Sequence, residues 1–587
     1  MAHSLPREKE LAPSTPESDL KVTLPDPESG YSTPRKAESP LLADRPTAYI
    51  QRRGPITDSI INFFKIRRNK GEKTDLDDIA TQPSVFDGPH AEFYQPRADW
   101  ENIEAFDPSF RWTWREEKKA LRKVDWKILS WVCLMFLALD IDRGNLASAT
   151  ADNFLKDLSL TQGDYNLGNT LSKLGFLVAE LPSQLVSKRL GPDRWIPIQV
   201  IIFSFISGAQ FFLSGRTSFL ATRFLIAFFQ GGFIPDNILY LSYWYNSYDL
   251  PIRMALFYTI NPLSDMITSF LAVGLLQMRG ILGYAGWRWM FLIEGLFTLL
   301  IGVASFWMMP TAPAKTKTKF RPNGYLTDRE AKIIVNRTIR DEPTKGGMHN
   351  RQPLTLKMIW QSTMDYHLWP IYLIGLMFGI PAVPVKQYLQ LSFKQLGYST
   401  IQANLLTIPS TAINVINCVL IAVLSELVNN RSFVCMAEDL WLLPCFIALE
   451  VLPSISPWQY FAIATVLLGF PYVHTVQVSW CSRLSGSIRT RTVSASLYNM
   501  AVQTSSIIGA NVYQASDKPR YRKGNRALLA IIAVCVGVLY PGTYAFYRYE
   551  NSKRDKIWNA MSDEDKKEYL ATTKDEGNKR LDFRFAT

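Results

Sequence analysis

Apolar residues are gathered along this chain into long runs that alternate with polar stretches. Each run holds about 20 residues, the length at which a helix crosses roughly 30 Å of hydrocarbon. The runs lack the apolar–polar alternation of barrel strands, and a backbone in lipid must satisfy its own hydrogen bonds, so we predict helices. The twelve predicted spans are 126–147, 166–187, 195–214, 219–243, 254–278, 287–309, 367–391, 402–427, 433–452, 458–480, 491–515 and 526–548.

The spans form two sets of six around a long polar loop, which predicts an all-α polytopic membrane protein with two six-helix halves. Residues 1–60 are rich in Pro, Ser, Glu and Lys, a composition that cannot bury enough surface to fold. The predicted divisions are a disordered cytoplasmic tail at 1–110, a juxtamembrane segment at 111–125, helical bundles at 126–309 and 367–549, a cytoplasmic loop at 310–366 and a cytoplasmic tail at 550–587.

A weak internal repeat supports two related halves. The fourth span contains GFIPD from Gly232 and the tenth contains GFPYVH from Gly469, and each motif is followed by a tryptophan, Trp244 or Trp480. Four matching residues can arise by chance, but the two motifs lie in the fourth helix of each half, as a duplication requires. Both helices are interrupted by Gly and Pro, and interrupted helices often mark the binding site of a transporter.

The formal net charge is +12, and basic residues cluster after the second, sixth and tenth spans. Under the positive-inside rule these loops are cytoplasmic, which places both termini in the cytoplasm. The basic loop at 518–526 then lies outside, where it either attracts anions or is simply a solvated loop. Membrane topology therefore accounts for the charge, and we expect no nucleic-acid partner.

Ionisable residues within the predicted spans are the strongest functional signal, because charge in a bilayer interior is costly and usually faces a cavity or a partner. Asp140 and Arg143 in the first span are three residues apart and share one helix face. Each such residue could instead form a structural ion pair between helices. The residues expected to line a substrate and proton pathway are Asp140, Arg143, Lys173, Glu180, Arg223, Asp236, Asp265, Lys386 and His474.

The charged residues of the second half each have two interpretations. Lys386 follows Pro381 in an interrupted span, where it either binds an anion or extends its ammonium towards the interface. His474 either exchanges protons or packs as a hydrogen-bonded ring. Glu438 and Asp439 are expected near the cytoplasmic end of the ninth span.

Energy coupling must come from an ion gradient, since the chain has no G-x-x-x-x-G-K-[ST] motif and no soluble nucleotide domain. Protons are favoured over sodium because carboxylates lie near basic residues. The six cysteines have neither disulfide nor metal-site spacing, so we expect no metal and no cofactor. An enzyme is disfavoured because no nucleophile–base arrangement is present.

The six-plus-six plan resembles the major facilitator superfamily, and more narrowly the fungal anion:cation symporters, which include allantoate permease. The matching segments include LDIDRGNLASA in the first span, TRFLIAFFQGGFIPDNILYLSYWY in the fourth, GWRWMFLIEGLFTLLIG in the sixth and DKPRYRKGN after the eleventh. Within that family, DRGNLASATADNFLKDLSLT, DLPIR and MHNRQPLTLKMIWQS are most similar to the branch that carries sulfonates and other sulfur compounds.

This resemblance implies uptake of a small organic anion with protons by alternating access, with spans 1, 4, 7 and 10 lining the path. The anion would be a sulfonate or other sulfur compound, or a carboxylate such as a vitamin or ureide. We expect a monomer in the plasma membrane. Lys386 and Asp265 depart from the family pattern, so two alternatives stay open: an exporter of a fungal secondary metabolite, and a nutrient sensor that does not transport.

Overall fold

The structure is a computed structural model that describes residues 76–587, apart from 82–83, 88–90, 97, 99, 247–248, 318–320, 342–359, 361, 429, 453–455, 486–487, 519 and 573–576. Helices supply the regular secondary structure of these residues, and the only β pairing among them is an isolated bridge between Ile79 and Thr113. This confirms the prediction of an all-α fold. Residues 1–75 of the predicted disordered tail lie outside the described residues.

Each predicted span coincides with a helix or with a pair of helical segments. We number them α1 Ser130–Thr150, α2 Gln162–Leu190, α3 Pro192–Ala209, α4 Arg216–Gln230 with Phe233–Leu241, α5 Leu250–Leu275, α6 Gly286–Met308, α7 Trp369–Phe378 with Ala382–Gln395, α8 Thr400–Leu405 with Ile408–Val428, α9 Arg431–Val451, α10 Pro457–Leu468 with His474–Ser485, α11 Ile488–Ala510, and α12 Arg522–Val534 with Tyr540–Ala560.

Among the described residues, eight helical stretches are long and apolar enough to cross a membrane: α3 to α9 and α12. The other four helices deviate for local reasons. Charged side chains lower the hydropathy of α1 and α2, a break divides α10, and Ser, Thr, Asn and Gln are frequent in α11. The membrane crossing of these four stays a prediction.

The breaks in α4 and α10 occur at the positions of the internal repeat. A Cβ atom on Gly232 would lie 1.7 Å from the Ser183 hydroxyl oxygen of α2, so only glycine allows α4 to approach α2 here. At the α10 break, the carbonyl oxygens of Gly469 and Phe470 lose their helical partners. They accept hydrogen bonds of 2.6 Å from the amides of Asn417 and Asn414 on α8. Neighbouring side chains thus satisfy the backbone that the break leaves free.

The two halves pack most extensively through three pairs of helices: α5 with α8, α2 with α11, and α1 with α7. We call the end of the molecule where α1 ends and α2 begins the outer end, and the opposite end the inner end, following the predicted orientation. Successive helices, such as α1 and α2 or α7 and α8, run in opposite directions. The connections between helices therefore lie alternately at the outer end and at the inner end.

A polar layer covers the inner end of the first half. It contains a leading helix, Trp114–Val124, and a loop helix, Asp328–Asp341. Disorder is expected up to residue 110, yet Tyr94 and Trp100 are buried and pack with Ile339 of the loop helix. The described residues before the leading helix therefore include an ordered part of this layer.

A chain of alternating charges, which we call the inner clamp, joins this layer to α5. Arg337 of the loop helix donates a 2.8 Å hydrogen bond to Glu117 of the leading helix and also pairs with Asp249. Asp249 pairs with Arg253 of α5 at 3.0 Å, and Arg253 pairs with Asp125 at 3.0 Å. All but Asp125 are buried, so removal of one charge leaves another without compensation.

The inner clamp predicts a large loss of stability for Arg337→Ala, because Glu117 and Asp249 would both keep a buried charge without this cation. Loss of one partner in a buried pair costs about 3–5 kcal/mol. The matched control is Arg329→Ala on the same helix, whose 2.8 Å pair with Glu116 is exposed and contributes about 0–1 kcal/mol. Thermal unfolding of the purified variants in detergent measures both, and equal shifts would contradict the assigned role of the clamp.

Candidate functional site

Five of the expected pathway residues lie at one depth between the two halves. Asp140 and Arg143 on α1, Lys173 on α2, Asp265 on α5 and Lys386 on α7 are each about two to three turns from the outer end of their helix. We call this group the charged layer. It brings together side chains from four helices, and it draws on both halves of the molecule.

The pair formed by Lys386 and Asp265 joins the halves directly. The ammonium of Lys386 lies 2.6 Å from a carboxylate oxygen of Asp265. The side chain of Lys386 is 58% exposed, although Val385, Tyr388 and Leu389 around it on α7 are buried. The ammonium therefore occupies open space between the halves, where a solute could displace its partner.

Asp140 and Arg143 form the second part of the charged layer. Asp140 lies 3.5 Å from Arg143 and accepts a 3.0 Å hydrogen bond from Asn261 of α5. The Arg143 guanidinium donates to Gln230 of α4 at 2.9 Å and lies over the ring of Phe176 on α2, 5.1 Å from its centroid. These contacts fix the guanidinium, while one of its nitrogen atoms has no hydrogen-bond partner in the described structure.

Lys173 differs from the other two cations because it has no counterion. Within the described part of the chain, no residue forms an ion pair or hydrogen bond with its ammonium. It lies within electrostatic range of Arg143, Arg223 and Lys386, and of the carboxylate of Asp140. The charged layer thus has three cations and two carboxylates, which is an arrangement suited to an anion.

Polar contacts between the halves close the outer end above the charged layer. The carbonyl oxygen of Tyr513 on the α11 side accepts hydrogen bonds from Gln162 at 3.2 Å and from Asn166 at 3.1 Å. Asn166 accepts a 2.9 Å hydrogen bond from Gln387, whose carbonyl oxygen accepts one of 3.0 Å from Tyr165. These hydrogen bonds hold α2 against α7 and α11.

A second layer lies about two turns, or roughly 10 Å, closer to the inner end. Here the ring of Tyr258 on α5 meets the edge of His474 on α10, with 6.2 Å between centroids. His474 also stacks on Phe378 and Tyr498 at 5.7 Å. Glu180 of α2 accepts a long hydrogen bond of 3.5 Å from an α11 amide. We call this group the aromatic layer.

Two other expected pathway residues are buried among the helices of the first half. Asp236 is buried within the first half, where it accepts a 3.2 Å hydrogen bond from Ser183, which itself accepts one of 2.6 Å from Gln199. Arg223 lies at the depth of the charged layer but is also buried, and two of its nitrogen atoms have no hydrogen-bond partner among the described residues. The geometry favours a structural role for Asp236.

The first half also contains a buried polar cluster whose residues are not among those predicted to line the pathway. Asp142 accepts a 3.0 Å hydrogen bond from Ser207, and Glu294 accepts one of 3.0 Å from Asn145. Asp142 and Asp140 are two residues apart on α1, so their side chains point to nearly opposite sides of the helix. This two-residue spacing is visible in the sequence, and it predicts that Asp140 and Asp142 face different surroundings: the cleft and the interior of the bundle.

Glu438 lies about two turns from the start of α9. It is 2% exposed inside the second half. One of its carboxylate oxygens accepts a 3.2 Å hydrogen bond from the amide of Val473. The break in α10 frees that amide, and α9 passes close enough to supply the acceptor.

Comparison with known proteins agrees with this architecture. Residues 132–510 match the Major Facilitator Superfamily. The chain is 44% identical over 491 residues to an uncharacterized transporter of Saccharomyces cerevisiae, which covers 83% of this chain and 90% of the relative. It is 29% identical over 281 residues to the "Putative tartrate transporter" of Agrobacterium vitis, covering 46% of this chain and 61% of that protein.

Solved structures show the same fold. A bacterial homolog of the human lysosomal transporter Spinster, in an inward-facing and unoccupied conformation, matches with a TM-score of 0.54 at 14% identity. That match covers 74% of this chain and 98% of the bacterial chain. Because the family match extends over more than half of its length, this chain belongs to the Major Facilitator Superfamily and is a multi-pass membrane transporter, not an enzyme.

Proposed function

We propose that this transporter takes up a small organic anion together with protons, as a secondary active transporter that works by alternating access. The observation that carries the proposal is Lys173, a cation between the halves without a counterion in the described structure. Arg143 and Lys386 at the same depth supply two further positive groups. An anion bound among the three would neutralise charge that is otherwise costly inside a membrane.

The ion pair between Lys386 and Asp265 supplies a mechanism for coupling. An arriving anion competes for the ammonium of Lys386 and leaves the Asp265 carboxylate without its cation. A carboxylate in that position is stabilised by taking up a proton, so binding of one anion favours binding of one proton. Since the pair also joins α5 to α7, its exchange alters a contact between the halves.

The chemical class of the substrate is supported by two resemblances. The name of the Agrobacterium vitis relative refers to tartrate, a dicarboxylate. The sequence motifs resemble the sulfur-compound branch of the fungal anion:cation symporters. Both indicate an oxyanion, so a sulfonate or a carboxylate such as a vitamin or ureide is the proposed cargo, bound without a cofactor or metal.

The proposed setting is the plasma membrane, with a monomeric protein and both termini in the cytoplasm. Basic residues at the inner ends of α2, α6 and α10 support this orientation. In that orientation, the hydrogen bonds between Tyr513, Gln162 and Asn166 close the extracellular side. The twelve-helix count, with six helices in each half, is part of the same proposal.

Lys173→Gln is expected to raise the Km for the transported anion about 10- to 100-fold, because a hydrogen bond to a charged group contributes about 1.5–3 kcal/mol. Lys386→Gln should raise the Km as well. The matched control is Lys156→Gln in the exposed connection between α1 and α2. Initial rates of radiolabelled anion uptake in cells measure the effect, and an unchanged Km for Lys173→Gln at normal surface expression contradicts the proposal.

Asp265→Asn tests the proton coupling, since the amide mimics a permanently protonated carboxyl group. In proteoliposomes with an imposed pH gradient, the variant should exchange labelled for unlabelled anion but lose gradient-driven accumulation. The wild-type protein should lose accumulation only when an uncoupler is added. Normal accumulation by Asp265→Asn would rule out this residue as the proton carrier.

Arg143→Ala separates transport from the two alternative functions. We expect it to abolish anion uptake, because its guanidinium is held in place by Gln230 and faces the charged layer. A sensor would keep its signalling output in a variant without flux. An exporter would show protein-dependent efflux of a metabolite, with no accumulation of any candidate anion at acidic or neutral pH.

A further inference from the structure

Helix α2 carries two charges of opposite sign that do not neutralise each other. Lys173 and Glu180 are seven residues apart, so they share one face of the helix and are separated by two turns, about 10 Å along the axis. That distance is too long for an ion pair between them. Each must therefore find its partner elsewhere in the cleft.

Neither charge has an adequate partner within the described residues. Lys173 forms no ion pair or hydrogen bond there. Glu180 is 2% exposed, and one of its carboxylate oxygens has no hydrogen-bond partner. The other oxygen accepts only the 3.5 Å contact from Asn499 of α11. An isolated buried carboxylate is costly, so Glu180 lacks a hydrogen-bond donor of the kind that a ligand could supply.

One aromatic ring lies near Glu180, and this ring belongs to a cluster of aromatic side chains. Tyr258 of α5 lies within electrostatic range of the carboxylate, and its ring contacts His474. Tyr472 and Phe378 both lie 5.7 Å or less from rings of the same layer. The hydroxyl groups of the half-buried Tyr258 and Tyr472 have no hydrogen-bond partners in the described structure. Aromatic faces next to a carboxylate are the surroundings that an ammonium group prefers.

We infer that the cleft recognises a zwitterion: an organic anion that carries an amino group about 10 Å from its acidic group. The acidic group binds among Lys173, Arg143 and Lys386. The ammonium binds to the Glu180 carboxylate and to the ring of Tyr258. The inference rests on the proposed function, because it takes anion binding at the charged layer as given and adds the second contact point.

This arrangement also connects the ligand to both halves of the transporter. At the charged layer the ligand replaces Asp265 on Lys386 of the second half, and at the aromatic layer it replaces the weak hydrogen bond from Asn499. Two contacts between the halves are thus exchanged for contacts through one ligand. A ligand that lacks the amino group exchanges only the first.

The test compares ω-amino carboxylates of increasing chain length with their des-amino analogues as competitors of labelled anion uptake. For the wild-type protein, the amino compound whose length matches the separation should inhibit at least about tenfold better than its analogue, the factor that one charge-assisted hydrogen bond supplies. Glu180→Gln should remove this preference, so that the amino compound and its des-amino analogue inhibit the variant equally, whatever its overall rate of uptake. Tyr258→Leu is the second variant, expected to reduce the preference.

Each outcome is decisive. If the amino compound and its des-amino analogue inhibit equally at every chain length, the zwitterion inference is overturned. In that case the inhibition by both compounds still agrees with the proposed anion transport. A preference for the amino compound that persists in Glu180→Gln also overturns the inference, because Glu180 would then not bind the ammonium group. Failure of all the anions to inhibit or to be transported by the wild-type protein contradicts the proposed function itself.

Discussion

The cost of placing charge in a medium of low polarity governs the arrangement of this protein. Each ionisable group inside the helical bundles must find a counterion, hydrogen-bond donors or access to water. Asp140 meets this requirement with Arg143 and Asn261, and Asp265 meets it with Lys386. Lys173 is partly exposed but has no counterion or hydrogen-bond partner among the described residues, which is why an anion is the proposed partner.

The same constraint applies to the backbone where helices are interrupted. The break in α10 would leave two carbonyl groups and an amide without partners, and Asn414, Asn417 and Glu438 supply the missing hydrogen bonds. At the equivalent position of the first half, Gly232 gives α4 close contact with α2. The breaks in α4 and α10 are therefore stabilised by different means.

Hydrogen bonds, an ion pair and an aromatic contact join the two halves at different depths. Neutral hydrogen bonds around Asn166 and Tyr513 close the outer end, whereas a solvent-accessible ion pair and an aromatic contact join the halves further in. Ion pairs and long hydrogen bonds in a cleft can be exchanged for ligand contacts at little cost. The inner clamp, in contrast, lies within the first half and its ion pairs are largely buried.

The sequence by itself located the helical segments and the charged residues within them, because hydrophobic length and polarity are local properties of the chain. It could not determine which charges meet. The sequence does not distinguish Asp236 from Asp265, since both are aspartates within predicted spans. In the structure, Asp236 is buried against Ser183, whereas Asp265 pairs with Lys386 across the cleft. The position of Glu438 at the α10 break and the lack of a counterion for Lys173 likewise followed only from tertiary structure. Pairing depends on which helix faces pack together, and that packing is a property of the whole bundle.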